Sequence, residues 1–228
     1  MRRSVVPLCL GLLALAACGK PAMAPEAAPS DPSVAVNAGQ CPKSPLLDDL
    51  EDGDGVLLPQ EGRNGVWYTY SDETGSKITP SKGESGAEAG GAHGSARAYH
   101  FRGHMTTEGV PFVGAGLLLH EPKALYDASC CQGVSFWAKR SATSTPNVRF
   151  MVGSLDTQPE GGKCGKCFDD FGKFLDLTEE WTQYRLPFAE LTQESWGDHV
   201  DKLDSAHLYQ LQWGVQASGS DFDFWVDD

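Results

Sequence analysis

Two tyrosines, an aspartate and a pair of glutamines are the side chains of this sequence best suited to holding a neutral molecule rich in hydroxyl groups. The run Trp67-Tyr68-Thr69-Tyr70-Ser71-Asp72 sets Tyr68 and Tyr70 two positions apart. In an extended strand they share a face, and Trp67 points the other way. Gln210 and Gln212 repeat that spacing later in the chain. Sugar rings offer C–H faces that pack on aromatic rings, while amides and carboxylates bond their hydroxyls; such sites combine apolar walls with a few polar anchors. Tyr68, Tyr70, Asp72, Gln210 and Gln212 therefore make one candidate surface, provided that their strands share a sheet face. For each single ring the competing role is core filler. Trp137 shares a face with Ser135 and Lys139, opposite Val134 and Phe136, so it is expected either at the surface or under a loop.

Other reactive side chains are less suited to chemistry. Asp48, Asp49, Glu51, Asp52 and Asp54 form an acidic turn with oxygens enough to interest calcium, but their spacing is not that of an EF-hand. The competing reading is a solvated turn beside an edge strand. His100 and His104 would approach one zinc ion on a helix; on a strand they stand about 13 Å apart, at roughly 3.3 Å per residue, which is too far. Cys164-Gly165-Lys166-Cys167 has the spacing of a redox pair. However, the following Phe168-Asp169-Asp170-Phe171-Gly172 is acidic and turn-like, where a reactive thiolate needs a helix N-terminus or a cation. A disulfide between Cys164 and Cys167 closing a turn fits better. No nucleophile elbow, metal triad or supported carboxylate pair is identifiable.

The elements that must position these residues read as strands. Val134, Phe136 and Ala138 alternate with polar or outward neighbours, as do Val148, Phe150 and Val152, and Tyr209, Leu211, Trp213 and Val215. A period of two with one apolar face marks a half-buried antiparallel strand. Further strands are expected at 46–50, 66–71, 96–105, 113–119, 174–177, 181–188 and 222–227, separated by Gly, Pro, Asn, Asp and Ser turn chemistry. Residues 188–193 have room for one helical turn after Pro187, and 81–94 reads as a long surface loop. About ten short strands without alternating helices imply an all-β antiparallel sandwich of jelly-roll type.

The ends and the composition bound the setting. Arg2 and Arg3, an apolar run from Val5 to Ala17, and Leu15-Ala16-Ala17-Cys18 have the layout of an export signal ending in a lipobox. The run is too short to span a bilayer, so residues 1–17 read as a signal peptide and Cys18 as the lipidated first residue of the mature chain. Residues 18–44, poor in large apolar side chains, read as a tether, and 45–228 as one domain. Gly19 is not an acidic retention residue, which points to the cell envelope, at the outer membrane or cell surface. The net charge of −13 argues against nucleic acid as a partner and leaves neutral ligands and divalent cations open. Of the seven cysteines, Cys41 is expected to pair with Cys130 or Cys131, leaving one thiol over.

Leu47-Asp48-Asp49-Leu50-Glu51-Asp52-Gly53-Asp54, followed by Gly62-Arg63-Asn64-Gly65-Val66-Trp67-Tyr68-Thr69-Tyr70-Ser71-Asp72, resembles the opening of galactose-binding-like jelly rolls, in particular family 11 carbohydrate-binding modules. Gly133-Val134-Ser135-Phe136-Trp137-Ala138-Lys139, Leu177-Thr178-Glu179-Glu180-Trp181-Thr182-Gln183-Tyr184 with Pro187-Phe188, and the closing Phe222-Asp223-Phe224-Trp225-Val226-Asp227-Asp228 continue the likeness in order. The resemblance implies a jelly roll over nearly the whole domain. It also implies a structural calcium where the first strand meets the last, shared by Glu51 with Asp227 or Asp228. The function expected on these grounds is non-catalytic: a lipid-anchored protein binding a polysaccharide or oligosaccharide on a sheet face. The alternatives are an envelope or protein-contact lipoprotein without sugar binding, and, less favoured, a glycan-active accessory protein.

Overall fold

The computed structural model describes residues 43–72 and 74–228. The expected signal peptide, Cys18, Cys41 and all but the last two residues of the expected tether lie outside them. Among the described residues eleven strands are formed: β1 (Trp67–Ser71), β2 (Lys77–Thr79), β3 (Ala87–Ala89), β4 (Arg97–His104), β5 (Val113–Leu118), β6 (Gly133–Arg140), β7 (Asn147–Ser154), β8 (Phe171–Asp176), β9 (Thr182–Pro187), β10 (Leu208–Val215) and β11 (Asp221–Asp227). They build two antiparallel sheets. One runs β1-β5-β10-β7-β8 and the other β2-β4-β11-β6-β9, with β3 also paired to β4. Chain neighbours are mostly not sheet neighbours, which is the crossing connectivity of a jelly roll. Helical structure among the described residues is limited to 3-10 turns at Pro159–Gly161 and Phe188–Glu190, the second falling inside the expected one-turn segment.

The period-two pattern places the core. Tyr99 and Phe101 from β4, Phe136 from β6, Phe150 from β7, Trp213 from β10, and Phe222 and Phe224 from β11 are all buried between the layers. Trp213 crosses the gap to meet Phe136 edge-on at 5.3 Å, and stacks with Trp67 at 5.4 Å. Trp67 in turn lies flat on Tyr99 at 4.4 Å. Each large apolar side chain buried in this way contributes about 1.5–3 kcal/mol, so the seam between the sheets is the main source of stability.

Some expectations need correction. Residues 46–50 do not form a strand. Leu47 packs against the core and Leu50 is buried in it, but Asp48 accepts the Leu50 N–H at 3.1 Å and Leu50 takes a positive φ of 58°, which turns the chain before a ladder can form. The long loop at 81–94 contains β3, and β2 was not foreseen. Both are three residues long, below the length at which alternation can be recognised. Cys164 and Cys167 form the expected disulfide. Cys130 is disulfide-bonded and Cys131 is a free thiol.

Candidate functional site

The outward face of the five-stranded sheet brings the predicted residues together. Its register aligns two rows across all five strands. Tyr68 pairs with Gly116, which pairs with Gln212, then Met151, then Gly172. One step along, Tyr70 pairs with Gly114, then Gly214, Arg149 and Phe174. Because paired residues point to the same side, these ten positions form one continuous face opposite the core.

Glycine gives this face its shape. A Cβ on Gly116 would sit 2.4 Å from Tyr68 Cζ, and one on Gly114 would sit 2.6 Å from the Tyr70 hydroxyl. Both tyrosine rings therefore lie down over β5, on ground that only glycine leaves clear. The Tyr70 hydroxyl reaches as far as β10, where a Cβ on Gly214 would be 3.1 Å from it and 2.9 Å from Met151 Cε. The two rings stand side by side, centroids 6.2 Å apart. Phe112, half exposed, extends the aromatic surface beyond Tyr70 at 6.5 Å. Burial pushes both tyrosine hydroxyls up from their ordinary pKa, so each stays protonated and can donate. Gln212 Nε2 donates to the Tyr68 hydroxyl at 3.0 Å, which orients the pair.

The far side of the face is polar. Arg149 is almost fully buried, with its Nη1 3.0 Å from Glu194 Oε1 and its Nη2 donating to the Asp170 and Thr192 carbonyls at 3.1 and 2.8 Å. Its guanidinium lies 5.4 Å from the centre of the Phe174 ring, which is 59% exposed. Gln158, fully buried, donates to the Asp170 carboxylate at 2.7 Å and accepts from Lys123 Nζ at 3.2 Å. Burial pushes the Asp170 carboxyl up, against the hydrogen bonds from Thr157 and Gln158. The disulfide-closed turn is tied to the loop that carries Glu194: Asp198 accepts from the Lys166 N–H at 3.1 Å, and Asp169 accepts from the Glu194 and Gly197 N–H groups at 2.8 and 3.1 Å.

Of the five predicted ligand-binding residues, Tyr68, Tyr70 and Gln212 meet on this face. Gln210 points the same way but is buried, its Cγ lying 2.8 Å from where a Gly153 Cβ would be. Asp72 does not join them. Its Oδ1 accepts from the Thr74 N–H and hydroxyl at 2.8 and 2.7 Å and from the Gly75 N–H at 3.1 Å, and its Oδ2 from the Phe112 N–H at 3.1 Å. Asp72 is a loop clamp, because consecutive N–H groups beyond the strand end converge on the nearest carboxylate. Arg149, Met151, Phe174 and Gln158 were not singled out from sequence. Arg149 alternates with Val148 and Phe150, as a solvated charge would, and only the distant Glu194 loop shows that it is covered.

The opposite outward face, on the six-stranded sheet, has its rings already occupied. Trp137 is covered by His93 at 4.0 Å, which decides its expected alternatives in favour of a loop. Trp225 stacks on His100 at 4.1 Å, and Lys139 Nζ lies 4.9 Å from both the Trp225 and Trp181 rings. His100 is held between Glu88 and Asp223 while His104 meets Asp221, so the two histidines serve separate partners.

Two of the three residues expected to share calcium accept from backbone N–H groups. Glu51 Oε1 accepts from the Ala96 and Arg97 N–H groups at 2.8 and 3.0 Å, and Asp227 accepts from those of Ala92 and Asp228 at 2.7 and 3.1 Å. Burial pushes Asp227 up to about 6, and burial with the charges of Asp49 and Glu51 raises Asp228. Among the described residues no three carboxylate, histidine or cysteine groups are arranged to hold a metal ion.

No protein-family model matches the chain, and no curated protein matches it. Solved structures do. A family 11 carbohydrate-binding module from Clostridium thermocellum, in complex with a β-1,3-1,4-mixed-linked tetrasaccharide, is 19% identical, with a TM-score of 0.50 over 71% of this chain and 85% of that one. A solution structure of a family 11 module is 18% identical, with a TM-score of 0.54 over 84% of this chain and 95% of that one. A family 30 module of a cellulosomal cellulase from the same organism is 13% identical, with a TM-score of 0.51 over 71% and 88%. These likenesses establish the fold as the jelly roll of carbohydrate-binding modules.

Proposed function

We propose that this protein binds a neutral, β-linked glucan-type chain on the outward face of the five-stranded sheet, without making or breaking bonds. The observation that carries the reading is the glycine floor, which lays two tyrosine rings side by side as a platform while the rings of the other face are covered. Tyr68 and Tyr70 would stack on sugar faces, and Gln212 and the tyrosine hydroxyls would bond hydroxyl groups. Arg149, held by Glu194, Asp170 and Thr192, would fix the far edge of the face beneath the exposed Phe174 ring. The likeness to modules solved with, or named for, carbohydrate supports the same reading. Glu194 lies beside Arg149 and Asp170 beneath Gln158, so neither carboxylate of this face stands free as a general acid or base.

Affinity electrophoresis against soluble mixed-linkage β-glucan, xylan and mannan tests it. Retardation by the β-glucan is expected, and Tyr70→Ala should weaken it about tenfold, equivalent to about 1.4 kcal/mol. Uniform mobility over the whole panel would leave the face to protein contacts, and release of sugar from any polymer would make the protein an enzyme. We further propose that residues 1–17 are removed and that Cys18 carries the lipid that holds the domain at the outer membrane or cell surface. Mass spectrometry of the mature N-terminal peptide should find acyl mass on Cys18; an unmodified thiol there would overturn the anchor.

A further inference from the structure

A cavity of about 290 Å³ lies between the two sheets, remote from the tyrosine face because it opens on the core side of the same strands. Its walls are Trp67, Leu117, Leu211 and Trp213 from one sheet and Phe136 and Val226 from the other. A 150 Å³ cavity lined by apolar side chains stays dry and admits benzene, so a space about twice that size suits an apolar guest better than water.

One corner of the cavity is charged. Arg63 lines it, is 3% exposed, and makes no ion pair with any carboxylate among the described residues. Its Nη2 donates to the Ser44 and Leu46 carbonyls at 3.1 and 2.8 Å, and its Nη1 is 3.5 Å from the Tyr126 hydroxyl. Its Nε has no acceptor, and neither does the Nε1 of Trp213 in the cavity wall. Among the described residues only carbonyls and a phenol hold this buried guanidinium, and buried charges are normally paired. Three acids also line the cavity: Asp48 accepts from Trp67 Nε1 at 2.8 Å, Asp227 accepts from the Ala92 N–H at 2.7 Å, and Asp228, the third, makes no ion pair with Arg63.

We propose that this cavity binds a small amphipathic carboxylate of the medium-chain fatty acid class, its head on the Arg63 guanidinium and its tail between Trp67, Trp213 and Phe136. The volume equals that of about ten water molecules in the liquid, which sets the tail at about eight to ten carbons. The carboxylate supplies the countercharge that the Arg63 guanidinium lacks among the described residues, and the apolar walls supply the affinity that grows with each methylene. The site is independent of the sugar reading, because no residue of the tyrosine platform lines it.

Straight-chain carboxylates of about four to fourteen carbons, and the matching alcohols, should be titrated into the full chain while tryptophan fluorescence and Tm are followed. Affinity is expected to rise with chain length to about eight to ten carbons and then fall, with each acid binding about tenfold tighter than its alcohol. Leu211→Phe, which fills the cavity, should abolish the response and leave β-glucan retardation intact. Arg63→Gln should erase the preference for acid over alcohol. Equal binding of acid and alcohol by the unaltered protein, affinity that does not peak with chain length, or undiminished binding in folded Leu211→Phe would each overturn the proposal. The comparison of acid with alcohol needs no variant, so it decides the matter even if both substitutions prevent folding.

Discussion

Asp72 shows how one carboxylate can be misread from its neighbours. Beside two tyrosines it has the composition of a ligand anchor, yet it holds the loops that follow β1 and precede β5. Burial raises its pKa, but hydrogen bonds from Ser76, Thr74 and Phe112 outweigh that and hold it well below the usual carboxylate range. A carboxyl depressed in the folded state stabilises the fold above its unfolded pKa, and the gain is lost as pH falls through the folded value. Asp72→Asn should therefore lower Tm near neutral pH by about 3–6 °C, from about 1.5 kcal/mol of charge-assisted bonding. The gap between the two proteins should narrow steadily below about pH 4, where the unfolded carboxyl is already protonated. Thermal scans of both proteins from about pH 2.5 to 7 give the answer. A gap that stays constant over that range would mean that the charge of Asp72 is immaterial to the clamp.

At the level of elements, the long alternating strands were legible in sequence, because a half-buried strand writes its period directly into residue type. The three-residue strands β2 and β3 leave no such trace, and the bend at Asp48–Leu50 is set by a side chain accepting a backbone N–H two residues on, which apolar spacing does not register. The platform itself was half visible. Tyr68, Tyr70 and Gln212 were found by period, while the glycines beneath them stood in plain view as Val113-Gly114-Ala115-Gly116-Leu117, an alternation that pairs β5 with the tyrosine strand only once register is known. If glycine at these positions exists to seat rings, then Gly116→Ala should act on binding more than on folding. Its new Cβ would fall 2.4 Å from Tyr68 Cζ, so the ring must leave its seat. Retardation by β-glucan should weaken about tenfold, while circular dichroism and a cooperative melt report an intact sandwich. Unchanged retardation would show that the Tyr68 ring contributes nothing to the ligand.

For the molecule as a whole, charge and platform make separable demands. A net charge of −13 repels polyanions at long range, and that repulsion is screened by salt over a Debye length of about 10 Å at 0.1 M. Stacking on Tyr68 and Tyr70 and hydrogen bonding to neutral hydroxyls involve no net charge on the ligand, so they are nearly indifferent to ionic strength. Arg149 does not alter this, because its charge is already balanced by Glu194 at 3.0 Å. Binding of a neutral β-glucan should therefore change less than about twofold between about 50 and 500 mM sodium chloride, whereas a uronic-acid polymer should be ignored at low salt. A steep loss of β-glucan retardation with salt would place the contact on charged groups outside the tyrosine platform. Strong binding of the acidic polymer at low salt would mean that a local cationic surface, not the glycine-floored face, governs what this protein holds.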